Sequence, residues 1–106
     1  MAKSETIRVR ARIRLLTQQE GGRSRPALGG HSYRPNHDFS LRTGEMCMGF
    51  IELPAGQDLA PGESIEIVLE LMAWPELRPV IHPGRVWRIL EGPKAVGSGE
   101  ILEVLA

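Results

Sequence analysis

The chain has 106 residues, 42% of them hydrophobic and 25% charged, a balance that fits an ordinary globular domain and argues against disorder. That length can build one hydrophobic core without several disulfides, and a lone cysteine, Cys47, leaves no internal disulfide to form. Thirteen Lys and Arg are matched by 13 Asp and Glu, so a strongly electrostatic nucleic-acid binder is not expected.

Residues 1–5 are expected to be a loosely attached N-terminus and residues 6–106 a single domain. The opening Met1-Ala2-Lys3-Ser4-Glu5-Thr6 has no apolar core of a signal peptide, and no apolar run approaches the roughly 20 residues that a bilayer needs. A cytoplasmic location without membrane contact is the expectation. Charge is unevenly spread: residues 1–53 hold nine basic against five acidic side chains, and residues 54–106 four against eight. Such a split means either a basic footprint on one face or strands of opposite charge lying side by side, and the second is the more economical.

Residues 6–16 alternate strictly, with Ile7, Val9, Ala11, Ile13 and Leu15 on one face and Arg8, Arg10, Arg12 and Arg14 on the other, which predicts a half-buried strand. Four arginines in a row could form a ridge for phosphates. They could equally pair with neighbouring glutamates, since Glu66 and Glu70 share the outward parity of another strand, and this second reading is favoured. Residues 17–36 are polar and broken by Gly21-Gly22, Pro26, Gly29-Gly30 and Pro35, so no regular element is evident. A loop of that length in a small domain is functional or holds hidden structure.

Short strands are expected at residues 37–41, with Phe39 and Leu41 on one face, and at residues 46–53, with Cys47, Gly49 and Ile51 on one parity and Met48 and Phe50 on the other. Ala60-Pro61-Gly62-Glu63 is a turn signature. Residues 64–72 then alternate with Ile65, Ile67, Leu69 and Leu71 inward, and the β-branched residues with a strict period of two select strand over helix. Trp74-Pro75 ends that strand. Pro75, Pro79 and Pro83 punctuate the link that follows, and no segment carries a helical stripe. The last stretch reads as a strand, a tight turn at Glu91-Gly92-Pro93-Lys94 and a closing strand. Gly97 and Gly99 leave one face of that strand bare, as a barrel corner needs where another backbone comes close; a surface groove is the less favoured reading.

Several motifs in this order resemble the C-terminal β-barrel domain of elongation factor Tu. They are Glu20-Gly21-Gly22-Arg23, Tyr33-Arg34-Pro35-Asn36, Arg42-Thr43, Gly49-Phe50-Ile51-Glu52-Leu53-Pro54, Pro61-Gly62-Glu63, and the final hairpin from Val86 to Gly99. The resemblance spans about residues 11–105, and ordered short motifs are more specific than any one alone. It implies an all-β fold, a six-stranded antiparallel Greek-key β-barrel, here without the rest of that factor. In that family the domain holds the T stem of aminoacyl-tRNA and contacts the exchange factor elongation factor Ts. Its tRNA-touching Glu-Gly falls on Glu91 and Gly92, its glutamine after Tyr-Arg-Pro on Asn36, and Arg34 is preserved. A threonine of the family corresponds to Met48, and a lysine falls near Ala73, so a hydroxyl and a charge are gone and full tRNA affinity is not expected. Glu91 could accept from a base amino group in the wide minor groove of an A-form stem, while turn chemistry alone would also select Gly92.

Catalysis is not expected. No Gly-x-x-x-x-Gly-Lys-Ser/Thr motif is present, so neither nucleotide binding nor GTP hydrolysis is expected. His31, His37 and His82 lack metal-ligand spacing and read as scattered loop histidines, so neither metal nor cofactor is expected. Cys47 reads as a small buried hydrophobe. The expected function is a non-catalytic binding module that contacts RNA, tRNA above all, or a translation-related protein through the last hairpin, the Tyr33-Arg34-Pro35-Asn36 corner and the arginine face. The alternative is a structural or protein-protein interaction barrel that has lost the tRNA site.

Overall fold

The computed structural model describes residues 5–30, 32–40, 46–73 and 75–105. The alternation of the first strand, β1 (Glu5–Leu15), determines much of the core: Ile7, Val9, Ala11, Ile13 and Leu15 are all buried. Each large apolar side chain taken out of water stabilises by roughly 1.5–3 kcal/mol. That row therefore outweighs anything the outward arginines contribute. The other strands are β2 (Ser32–Tyr33), β3 (Asn36–Asp38), β4 (Cys47–Glu52), β5 (Ser64–Ala73), β6 (Val86–Glu91) and β7 (Lys94–Val104).

β1 pairs antiparallel with β5 from Glu5 opposite Ala73 to Arg14 opposite Ser64. On its other side it pairs with β7, with a bulge at Arg10 and Ala11. β7 continues to β6, β6 to β3, β3 to β4, and β4 returns to β5 through Met48, Gly49 and Phe50 opposite Met72, Leu71 and Glu70. The result is a closed six-stranded antiparallel barrel. β3, β4 and β5 are successive neighbours, and β6 crosses back to lie beside β3, which is the Greek-key connection. All-β was the expectation, and the barrel has that class.

Where sequence reasoning expected no regular element, residues 17–36 contain β2 and a bridge between Ala27 and Leu59. β2 and β3 are one interrupted strand. Ser32 and Tyr33 face Glu52 and Ile51, and Asn36 and His37 face Met48 and Cys47, in a single continuous register along β4. The interruption falls at Arg34 and Pro35, where proline has no N–H to give a ladder. The strand expected at residues 37–41 is thus shifted back to Asn36–Asp38; Phe39, just beyond it, is buried. The proline-punctuated link folds into a short 3-10 segment, Pro75–Val80, which buries Leu77. Of the expected loose segment 1–5, only Glu5 is described, as the start of β1. His31, Leu41, Arg42, Thr43 and Trp74 lie outside the described residues.

Candidate functional site

On the outer face of β1 the arginine row meets carboxylates from both neighbouring strands. Arg12 lies 3.1 Å from Glu66 on β5 and 3.5 Å from Glu100 on β7. Arg10 reaches Glu103 at 3.5 Å and Arg8 reaches Glu70 at 3.8 Å. Arg14 donates to Glu20 at 2.8 Å. Glu20 also accepts the Thr17 N–H, while its own N–H donates to Thr17 Oγ1, a reciprocal pair that fixes the turn after β1. The Thr17 backbone bond, then the Arg14 guanidinium, hold the Glu20 carboxyl down at about 2. The negative second half of the chain supplies most of these partners, so the basic and acidic halves lie side by side in the sheet.

The final hairpin turns at Gly92, whose φ of 58° followed by proline is the sign pattern of a type II′ turn, in which glycine takes the first central position. At its base the Glu91 carboxylate accepts from the Arg23 guanidinium and from the Tyr33 hydroxyl. Arg23 also donates to the Arg25 carbonyl at 3.0 Å, and Lys94 donates to the Gly22 carbonyl at 3.1 Å. Burial opposes the charge of Arg23, yet Glu91 outweighs it and raises the pKa. Burial, then the bond to Glu91, pushes the Tyr33 phenol well up. Sequence reasoning assigned no role to Arg23, although it sits in the quoted Gly-Gly-Arg motif, and gave Tyr33 only a place in the partner-contacting corner; both instead engage Glu91. Their joint grip on Glu91 locks the hairpin to the 22–26 loop.

Arg34 and Asn36 stand next to this corner, and Asn36 lies opposite Leu90. The register carried through the β2–β3 interruption sets Arg34 across from Phe50, and its guanidinium lies 5.1 Å from the ring centroid. Such an exposed stack contributes roughly 0.5–1 kcal/mol. The corner and the arginine row are not one surface: β6 and β7 lie between β3 and β1.

His37, expected as a loop histidine, is a fully buried residue of β3. Trp87 Nε1–H can only donate, and it does so to His37 Nδ1 at 2.9 Å, so the ring proton sits on Nε2 and points to the Gly49 carbonyl 3.2 Å away. Burial, partly offset by that carbonyl, lowers the His37 pKa to about 4. Trp87 in turn stacks on Phe39 and faces Gly99, where an added Cβ would fall 2.4 Å from the indole ring. At Gly97 a Cβ would meet the Arg14 carbonyl at 2.6 Å. The two glycines therefore make room for a neighbouring backbone and for the indole, as a barrel corner needs, while a groove of about 210 Å³ lined by Arg12, Arg14, Val86 and Ser98 also runs past Gly99. Cys47 is buried, and burial drives its thiol up to about 12, which keeps it protonated.

Among the described residues, no group of three or more His, Cys, Asp or Glu is placed to hold a metal ion, and no helix is long and apolar enough to cross a membrane. His82 is exposed in the link after the 3-10 segment. No model of a known protein family matches the sequence.

The outer face of β4 and β5 differs from that of β1. Met48, Val68 and Met72 are 52%, 46% and 41% exposed. Beside them Phe50, Glu52, Val68 and Glu70 line a groove of about 200 Å³. Sequence parity placed Met48 and Phe50 together, but it gave no sign that β4 and β5 part company beyond Phe50.

Proposed function

We propose that this barrel is a non-catalytic protein-interaction module, related to the C-terminal domain of elongation factor Tu and without its grip on tRNA. The observation that carries this reading is the pairing of Arg8, Arg10, Arg12 and Arg14 with Glu70, Glu103, Glu66, Glu100 and Glu20. An RNA-binding ridge would need those guanidinium groups free to replace counterions on phosphates. Glu91, which in the resembled family meets the tRNA stem, is engaged by Arg23 and Tyr33. The kinship itself is supported by Arg23, Tyr33 and Glu91, which come from three separate motifs of the resemblance and converge in one cluster. A translation-related protein is the partner class that kinship implies.

One observation favours the RNA reading: Arg34 is exposed, stacked on Phe50, and has no carboxylate partner among the described residues. Titration of the protein with aminoacylated and free tRNA at two salt concentrations separates the two. No saturable binding at low salt is expected. Micromolar binding that weakens steeply with salt, and that Arg34→Ala with Glu91→Ala reduces, would overturn the protein-interaction reading.

A further inference from the structure

We propose that the splayed seam between β4 and β5 is a docking groove for an extended, basic and apolar segment of a partner protein, which adds a short strand along residues 65–69 of β5. This rests on the protein-interaction reading and names its surface.

Three features meet at the seam. First, the ladder stops early. β4 and β5 pair only at Met48, Gly49 and Phe50, and the same register would continue with Ile51 opposite Leu69 and Glu52 opposite Val68, but those pairs do not form. β5 keeps β1 along its whole length. No described residue outside β1 forms a backbone bond to residues 65–69, so half of their peptide groups face an open edge. Unpaired edges of this kind are templates for an added strand.

Second, the inward row of β5 is incompletely covered over the same residues. Leu69 and Leu71 are buried, whereas Ile65 and Ile67 are only partly buried. Ile65 and Ile67 were expected to be inward in the same way, and the parted strands account for the difference, because the flank that β4 would cover is left open. An added strand would place its alternate apolar side chains over these two isoleucines.

Third, the groove that the splay opens is lined by Phe50, Glu52, Val68 and Glu70 and has room for about one bulky side chain. Glu52 has no partner among the described residues, and Glu70 is held only by Arg8 at 3.8 Å. Arg34 stacks on Phe50 and Arg8 offsets Glu70, so the carboxylate left unpaired, Glu52, is the one that attracts Lys or Arg and selects a basic residue in the peptide. The occupant that satisfies the backbone edge, the isoleucines and this carboxylate together is a short extended segment that alternates apolar and basic residues.

The test uses amide-resolved NMR with two synthetic peptides, Ac-Lys-Val-Lys-Val-Lys-amide and its acidic counterpart Ac-Glu-Val-Glu-Val-Glu-amide. In the free protein, the amides of residues 65–69 that point away from β1 should exchange rapidly, while those paired to β4 near Leu71 are protected. The basic peptide should bind saturably with a Kd of about 1 mM and shift residues 65–69 and 48–52, and the acidic one should not. Glu52→Lys and Val68→Arg, both at exposed positions, should each weaken binding roughly tenfold with the thermal midpoint little changed. Full protection of residues 65–69 in the free chain, shifts confined to another face or absent, or binding by both variants as tight as that of the wild type would each overturn the proposal. A concentration-dependent shift at the seam without peptide would instead assign it to a second copy of this chain and overturn the partner named here. The tRNA titration reports separately: RNA binding at the Arg34 corner sinks the protein-interaction reading, while a silent seam with no RNA binding sinks only this groove.

Discussion

The barrel has two kinds of seam. Between β6, β7 and β1 the ladders run for six and seven pairs with one bulge in each, and the packing is so tight that Gly97 and Gly99 are required beneath a carbonyl and an indole ring. Between β4 and β5 the ladder ends after three pairs, and Ile65 and Ile67 keep part of their surface in water. A closed ring of strands thus need not be uniformly sealed. Trp87, with the buried hydrogen bond to His37, concentrates rigid packing on one side, and the opposite side retains unused backbone and apolar surface.

The strongest break of this contrast is steric. Gly99→Val drives two methyl groups into the Trp87 ring and should cost about 3 kcal/mol in urea unfolding, whereas Ile67→Ala in the open seam should cost only about 1 kcal/mol because its side chain is already part exposed. Equal losses would mean that the two seams are packed alike.

Acid sharpens the same contrast. His37 is neutral in the fold and its pKa lies at about 4, below the ordinary 6.5. The unfolded chain therefore takes up a proton at higher pH than the folded one. The associated stability is fully present above pH 6.5 and is lost as pH falls towards 4, on the order of 3 kcal/mol in all. Glu20, held at about 2, acts in a lower window, losing its contribution only below the ordinary carboxylate range. Unfolding free energy measured from pH 7.5 to 4 should slope downward in the wild type and flatten in His37→Gln; an unchanged slope in that variant would remove His37 as the cause.

A smaller effect is expected at the hairpin base. Glu91→Gln leaves Arg23 and Tyr33 without their carboxylate and should cost about 1 kcal/mol, discounted because the group is partly exposed. Tyr33 is the only tyrosine in the chain, so its absorbance reports the cluster directly. The phenol should titrate well above the ordinary value of about 10 in the wild type and partway back in the variant, since burial remains.

Strands β1 and β5 were legible in the sequence because a period of two over ten residues has no competing explanation, and the last hairpin because its turn chemistry is specific. The pairing of the arginines was legible too, from the outward parity of Glu66 and Glu70. β2 was not, since two residues carry no period and its continuity with β3 is visible only in the register along β4. The burial of His37 was missed although a strand was expected to begin there: a polar residue between Asn36 and Asp38 gives no sign of facing the core, and only Trp87, distant in sequence, supplies the donor that lets it be buried. The open seam has no sequence signature at all. Alternation specifies which way side chains point, and it is silent on where two strands diverge.

The smallest effect concerns the face that reads most like a binding site. Arg12 bridges Glu66 and Glu100, yet all three side chains are about half exposed, and exposed ion pairs are worth roughly 0.2–1 kcal/mol. Arg12→Ala should therefore lower stability by less than about 1 kcal/mol at low salt. The difference should shrink further in 1 M salt, where the Debye length is about 3 Å and screening reaches the pair itself. A loss that is large and insensitive to salt would mean that the row is braced by packing of the arginine stems, not by charge. A gain in stability would mean that the arginines repel one another more than the glutamates attract them, a surplus of positive charge that would return the face to the candidates for phosphate binding.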